Sequence, residues 1–176
     1  MPLPHDYRGQ LCSLARTLEV IGERWTLLII RDAFYGARRF GEFVERLNIS
    51  RAVLTERLNA LVAAGVMEHN GQAGKGSAYT LTEKGVELWP VVRAMMAWGD
   101  RHYAPAGPRR LFLHADDDAP LDAQGVCTAC GASVDLADTV IAPGPGLADD
   151  AEGPQDALTT ALRDPRPLLA PFGPAR

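Results

Sequence analysis

Two short stretches of helical apolar periodicity, separated by a turn of two residues, constrain the fold most. Phe40, Phe43, Val44 and Leu47 recur on one face of residues 40–47. Leu54, Leu58, Leu61 and Val62 do the same over 51–64. Only Asn48 and Ile49 intervene before Ser50, whose hydroxyl suits an N-cap because it accepts a bond from a free backbone N–H of the following helix. Gly65 stops that helix. Residues 66–69 and 78–82 are strand-like, and between them lies Asn70-Gly-Gln-Ala-Gly-Lys75-Gly-Ser77, so the pair predicts a β-hairpin with a basic tip. Upstream, Leu11, Leu14, Leu18 and Ile21 predict a helix over 12–21 that ends at Gly22. A second helix is predicted over 23–35, with Trp25, Leu28, Ile29 and Ala33, closed by Gly36. Downstream, 83–103 is helical in pattern, with Pro90 expected to kink or divide it. The order is that of a winged helix-turn-helix. The fold class expected is mostly α with a small β-hairpin, followed by an irregular C-terminal extension.

Composition places the boundaries. All three tryptophans precede residue 104, and ten of the thirteen prolines follow it. Residues 7–103 are expected to form the DNA-binding and dimerisation domain. Residues 104–142 are read as a linker and a degenerate zinc-ribbon-like segment. Residues 143–176 are read as a Pro/Ala/Asp-rich tail, in part mobile, with a short helix at 155–163. Charge divides at the same place. Residues 1–103 carry 13 Lys and Arg against 11 Asp and Glu, whereas 104–176 carry 5 against 11. The acidic balance of the whole chain, −4, therefore does not exclude a nucleic-acid partner for the first part. No apolar run approaches the ~18 residues of a membrane span, and the polar start of the chain lacks a signal-peptide core, so a cytoplasmic protein is expected.

A recognition helix entering a major groove about 12 Å wide needs small or hydrogen-bonding side chains on its outer face. With the leucines of 51–64 inward, the outer face holds Ala52, Thr55, Glu56 and Asn59, with Arg51 and Arg57 at its margins. Arg51 is the candidate guanine contact and Thr55 a candidate for a base edge or thymine methyl. Ser50 is placed to bond a phosphate. Arg38, Arg39 and the wing-tip Lys75 are candidate phosphate contacts, which position a protein without reading sequence. Any one of these arginines alone more often solvates a helix face. The cap, the core spacing, the Arg38-Arg39 pair and the basic wing together favour DNA.

These residues carry a resemblance. Residues 12–103 resemble the HxlR family of bacterial winged-helix regulators through Cys12, Leu18-Glu-Val-Ile-Gly-Glu-Arg-Trp25-Thr-Leu-Leu and Arg38-Arg-Phe-Gly-Glu-Phe43. The match continues through Ile49-Ser-Arg-Ala-Val-Leu-Thr-Glu-Arg-Leu58, Gly65-Val, Tyr79-Thr-Leu-Thr-Glu-Lys-Gly85 and Trp98-Gly99. The resemblance implies a homodimeric repressor or activator, paired through the first and last helices of the domain and bound to an inverted-repeat operator in double-stranded DNA. Two departures stand out: Ala52 replaces a frequent basic residue, and the wing lacks a frequent Pro-Pro pair. Leu88, Val91, Val92, Met95 and Trp98 form an apolar stripe that a dimer would cover, presenting two recognition helices about 34 Å apart. Some similar proteins use a cysteine at the position of Cys12 to sense oxidants or electrophiles such as quinones. A thiol opening a helix gains from the free N–H groups there, but a small residue kept for packing fits equally. A small-molecule effector in the dimer seam is the other regulatory reading.

Cys127-Thr-Ala-Cys130-Gly131 has the shape of a zinc knuckle, but zinc takes four ligands. His114 with one aspartate of the run 116–118 would complete a site, and a ribbon without metal is the alternative. An enzyme is not expected, because no P-loop, Rossmann glycine pattern, HExxH or nucleophile elbow is present. The competing reading is a winged-helix module for protein–protein contact without specific DNA binding.

Overall fold

The computed structural model describes residues 7, 9–71, 77–147 and 156–171. Helix α1 spans Ser13–Ile21, with Cys12 as its extended N-cap residue. Helix α2, Thr26–Phe34, begins only after Trp25, which takes a left-handed φ of 80°. This turn removes the first residues of the predicted 23–35 helix. Helices α3 (Phe40–Leu47) and α4 (Arg51–Ala63) follow, and Asn48 turns between them at φ 47°. Ile29, Ile30 and Phe34 of α2, Phe43 of α3 and Leu54 and Leu58 of α4 are wholly buried in one core. Each such side chain contributes about 1.5–3 kcal/mol of transfer free energy.

The wing is an antiparallel pair, β1 (Met67–Asn70) with β2 (Ala78–Leu81), in the register Met67↔Leu81. Thr82 then caps a single turn, α5 (Glu83–Val86), by accepting the Gly85 N–H at 3.1 Å. Pro90 divides the predicted 83–103 helix. It sits in the first turn of α6 (Trp89–Tyr103), where no intrahelical N–H is needed. Trp89 packs on Phe34 at 4.9 Å and edge-on to Phe112 at 5.1 Å between ring centroids.

Beyond α6 the C-terminal extension carries a second small sheet. Strands β3 (Arg110–His114), β4 (Thr139–Pro143) and β5 (Arg166–Pro167) form an antiparallel sheet in that order. Helix α7 (Ala157–Ala161) is capped by Asp156 and packs against α3. Phe112, Ile141, Leu158, Leu162 and Leu168 are buried in the same core as the first four helices. The described part of 143–176 packs as a layer on the N-terminal domain. Its Pro and Asp content had concealed three leucines that reach the core. At Gly36, φ is +102° and a Cβ would lie 2.1 Å from the Ala170 carbonyl oxygen, so the close approach of this layer requires glycine there. Among the described residues no helix is long and apolar enough to cross a membrane.

Candidate nucleic-acid interface

Helix α4 presents the face that its periodicity predicts. Leu54, Leu58 and Leu61 are buried, whereas Arg51, Ala52, Thr55, Glu56 and Asn59 are exposed. The Ser50 hydroxyl accepts the Val53 N–H at 3.3 Å and so fixes the N-terminal end of the helix. The Arg51 guanidinium lies 5.8 Å from the Phe40 ring centroid, which steadies it beside the turn, and it has no acidic partner among the described residues. Thr55 donates to the Arg51 carbonyl at 2.8 Å, leaving its methyl and an acceptor lone pair outward. No large apolar side chain stands on this face.

Two predicted contacts are otherwise engaged. Arg57 is half-buried and pairs with Glu56 at 2.5 Å and Glu23 at 3.4 Å, tying α4 to the α1–α2 turn. Arg38 donates to the Leu169 carbonyl at 3.0 Å and so anchors the C-terminal layer. Both side chains are thus tied within the chain as well as lying near the predicted interface. Arg39 remains exposed at the start of α3, where the Glu42 carboxylate accepts the Arg38 and Arg39 N–H groups at 2.8 Å each. Lys75 lies outside the described residues. On the wing, His69 stacks on Tyr79 at 4.4 Å and bonds Ser77. The other wing face carries Glu68, held below the usual carboxylate range by hydrogen bonds from Asn70 and Thr80. The His69–Tyr79–Ser77 group carries no sequence signal, because cross-strand pairing brings it together.

The predicted apolar stripes divide in the structure. On α6, Val92 faces the core while Val91, Met95 and Trp98 are exposed, Met95 at 54% and Trp98 at 55%. On α1, Ala15 and Ile21 are buried and Leu14 and Leu18 are exposed, with Leu11 open just before it. The Cys12 thiol is exposed, and the Ala15 and Leu14 amides lower its pKa below the ordinary thiol value. Burial pushes the Tyr35 phenol up to about 12, beside a cleft of about 390 Å³ lined by Arg31, Arg46, Met96, Asp100 and Arg110. In the C-terminal layer, Cys127, Cys130 and His114 converge as the sequence suggested, and Asp117 is the aspartate that joins them.

The chain is similar to known proteins. The model of the HxlR-like helix-turn-helix family matches residues 20–106. The uncharacterised HTH-type transcriptional regulator Rv3095 of Mycobacterium tuberculosis is 37% identical over 148 residues, covering 82% of this chain and 92% of its own. That alignment is too long for the family-matched stretch alone and takes in part of the C-terminal layer. The HTH-type transcriptional regulator YodB of Bacillus subtilis is 37% identical over 89 residues, covering 49% of this chain and 80% of its own. The crystal structure of PA1607 superposes with a TM-score of 0.60 at 36% identity, covering 74% of this chain and 93% of that one.

Proposed function

The chain belongs to the HxlR-like helix-turn-helix family of transcriptional regulators, and from that premise we propose that it binds an inverted-repeat operator as a homodimer. The outer face of α4 carries this reading: Arg51, Ala52, Thr55, Glu56 and Asn59 are exposed together behind a capped N-terminus, on a helix whose opposite face is wholly committed to the core. Arg51 supplies base recognition, with two guanidinium donors matching the O6 and N7 acceptors of a guanine. Arg39 supplies a phosphate contact. The exposed residues Leu14 and Leu18 of α1 and Val91, Met95 and Trp98 of α6 supply the dimer contact. Cys12 supplies the response to oxidants or electrophiles, since its exposed thiol is biased toward the reactive thiolate.

Fluorescence anisotropy with duplexes from upstream of the encoding gene tests this. Specific binding that weakens linearly in log salt, and weakens again in Arg51→Ala, supports operator recognition. Binding absent on every duplex across salt and protein concentration assigns the exposed face to a protein partner instead.

A further inference from the structure

The excursion between β3 and β4 brings four metal-ligating side chains to one point. Strand β3 ends at His114, and Asp117 follows three residues later in the adjoining turn. The chain returns through Cys127 and Cys130, again three residues apart. One donor atom from each of the four lies within 4.8 Å of all the others. His114 Nδ1 is 3.4 Å from Asp117 Oδ1, and Cys130 Sγ is 3.6 Å from His114 Nδ1. Cys127 Sγ is 3.5 Å from Asp117 Oδ1 and 3.3 Å from Oδ2.

Three of these separations match three of the six edges of a zinc tetrahedron. Bond lengths of about 2.3 Å to sulfur, about 2.05 Å to nitrogen and about 2.1 Å to oxygen place sulfur and nitrogen ligands about 3.6 Å apart. The same geometry sets sulfur and oxygen about 3.6 Å apart, and nitrogen and oxygen about 3.4 Å apart. The remaining three pairs also lie within 4.8 Å.

The backbone prepares the same point. Gly131, at φ +73°, donates to the Cys127 carbonyl at 3.0 Å, and the Cys127 N–H donates to the Ala132 carbonyl at 2.8 Å, which closes the CxxC turn. The Asp122 carboxylate accepts the Gln124 and Val126 N–H groups at 2.9 Å each, and isolated bridges pair Leu113 with Pro120 and Leu121 with Cys127. The two ligand turns are thereby held against each other. The outer ring nitrogen of His114, Nε2, faces the Asp116 carboxylate at 3.6 Å, the arrangement that orients a metal-bound imidazole. Cys127 is buried and Cys130 exposed, so an ion would have a route from solvent.

We propose that His114, Asp117, Cys127 and Cys130 form a tetrahedral structural zinc site that closes the loop of residues 115–138. Two thiolates with an imidazole select zinc over calcium or magnesium, and four protein ligands leave no open catalytic position. The site also bears on the proposed dimer helix. Arg93 of α6 donates to the carbonyls of Leu121 and Asp122 in this loop, and its guanidinium lies 4.3 Å from the Phe112 ring centroid. Metal binding therefore steadies the support of the helix that carries Met95 and Trp98.

The test is elemental analysis of the full chain purified under reducing conditions and exposed to zinc chloride, followed by cobalt(II) chloride titration of the metal-stripped protein. We expect roughly one zinc per chain, with thiolate-to-cobalt charge transfer and tetrahedral ligand-field bands in the cobalt form. Cys130→Ser, an exposed position, should bind cobalt at least about tenfold more weakly, while Cys12→Ser binds as wild type. Chelation should lower the Tm of wild type but not that of Cys130→Ser. If Cys130→Ser does not fold by circular dichroism, the near-isosteric Asp117→Asn carries the test, with the same loss of affinity expected. Trace zinc only, an octahedral cobalt spectrum, or unchanged affinity in the folded ligand variant would each overturn the site, whatever the outcome of the DNA experiment.

Discussion

Arg38, the residue that opens the helix-turn-helix, donates from its guanidinium to the carbonyl of Leu169 at 3.0 Å, 131 residues further along the chain. The Leu169 N–H in turn donates to the Phe34 carbonyl at 2.7 Å. Arg46 of α3 donates to the Thr159 hydroxyl at 2.6 Å and pairs with Asp156 at 3.6 Å. The C-terminal layer is thus built into the reading head. Leu158→Ala, which empties a buried site of this layer, should lower stability by about 2–5 kcal/mol. All three tryptophans lie in the first hundred residues, so urea unfolding followed by their fluorescence reports the other half of the molecule. A lowered midpoint shows that the layers unfold as one unit. An unchanged midpoint would mean that the layer only rests on the domain.

Arg51 and Arg57 are six residues apart on α4, and they should respond differently to removal. Arg51 is exposed and, among the described residues, steadied only by the Phe40 ring, whereas Arg57 is half-buried between Glu56 and Glu23. Arg51→Ala should weaken operator binding by about 1–3 kcal/mol and relax specificity at one base position. Arg57→Ala should lower the Tm instead, with operator affinity at matched folded fraction close to wild type. Anisotropy and thermal melts on both variants separate the roles. Equal losses of affinity would return Arg57 to the interface.

This contrast also shows what was legible in the sequence. The period of Leu54, Leu58 and Leu61 fixes which side of α4 faces out, because neighbours three and four residues apart share a helix face. The fate of Arg38 and Arg57 was not legible, since their partners Leu169 and Glu23 come from distant segments. The spacing of Leu11, Leu14, Leu18 and Ile21 predicts a helix, yet only Ile21 of the four is buried. Periodicity shows that a face is apolar, not whether its own chain covers it. In the C-terminal layer the elements run from two to five residues, too short for any period to appear. The CxxC was legible as half a site, but the choice of Asp117 among three consecutive aspartates depends on the turn after β3.

Arg39 tests the backbone contact. Its side chain is exposed beside α3, while its main-chain N–H is already satisfied by Glu42. Arg39→Ala should therefore leave the fold intact and weaken binding by a similar factor on specific and unrelated duplexes. The slope of log affinity against log salt should fall by about 1, the signature of one lost phosphate contact. A loss confined to the operator would make Arg39 a base-reading residue.

Met95 tests the dimer. It is half-exposed on α6 between Val91 and Trp98, with no role in the core. Met95→Lys adds a charge at the centre of that patch, so it should shift the protein toward monomer in sedimentation equilibrium with little change in Tm for the monomer's own fold. Operator affinity should fall with it, because a monomer engages one half-site only. A variant still dimeric at micromolar concentration would place the interface elsewhere on the surface.

Cys12 tests the sensing proposal through its pH dependence. The Ala15 and Leu14 amides at the start of α1 favour the thiolate and hold its pKa below the ordinary thiol value in the folded chain. Unfolding removes both donors, so the thiol returns to its ordinary value. The folded protein should therefore reach half-maximal alkylation of Cys12 by iodoacetamide at a lower pH than the same cysteine does in concentrated urea. Peptide mass spectrometry keeps Cys127 and Cys130 out of the reading. The sign follows from the depressed folded pKa: between the two pKa values, Cys12 is mostly thiolate in the folded chain and mostly thiol in the unfolded one. Coincident profiles would show that the helix start does not activate the sulfur, and the response to electrophiles would have to be sought at another residue.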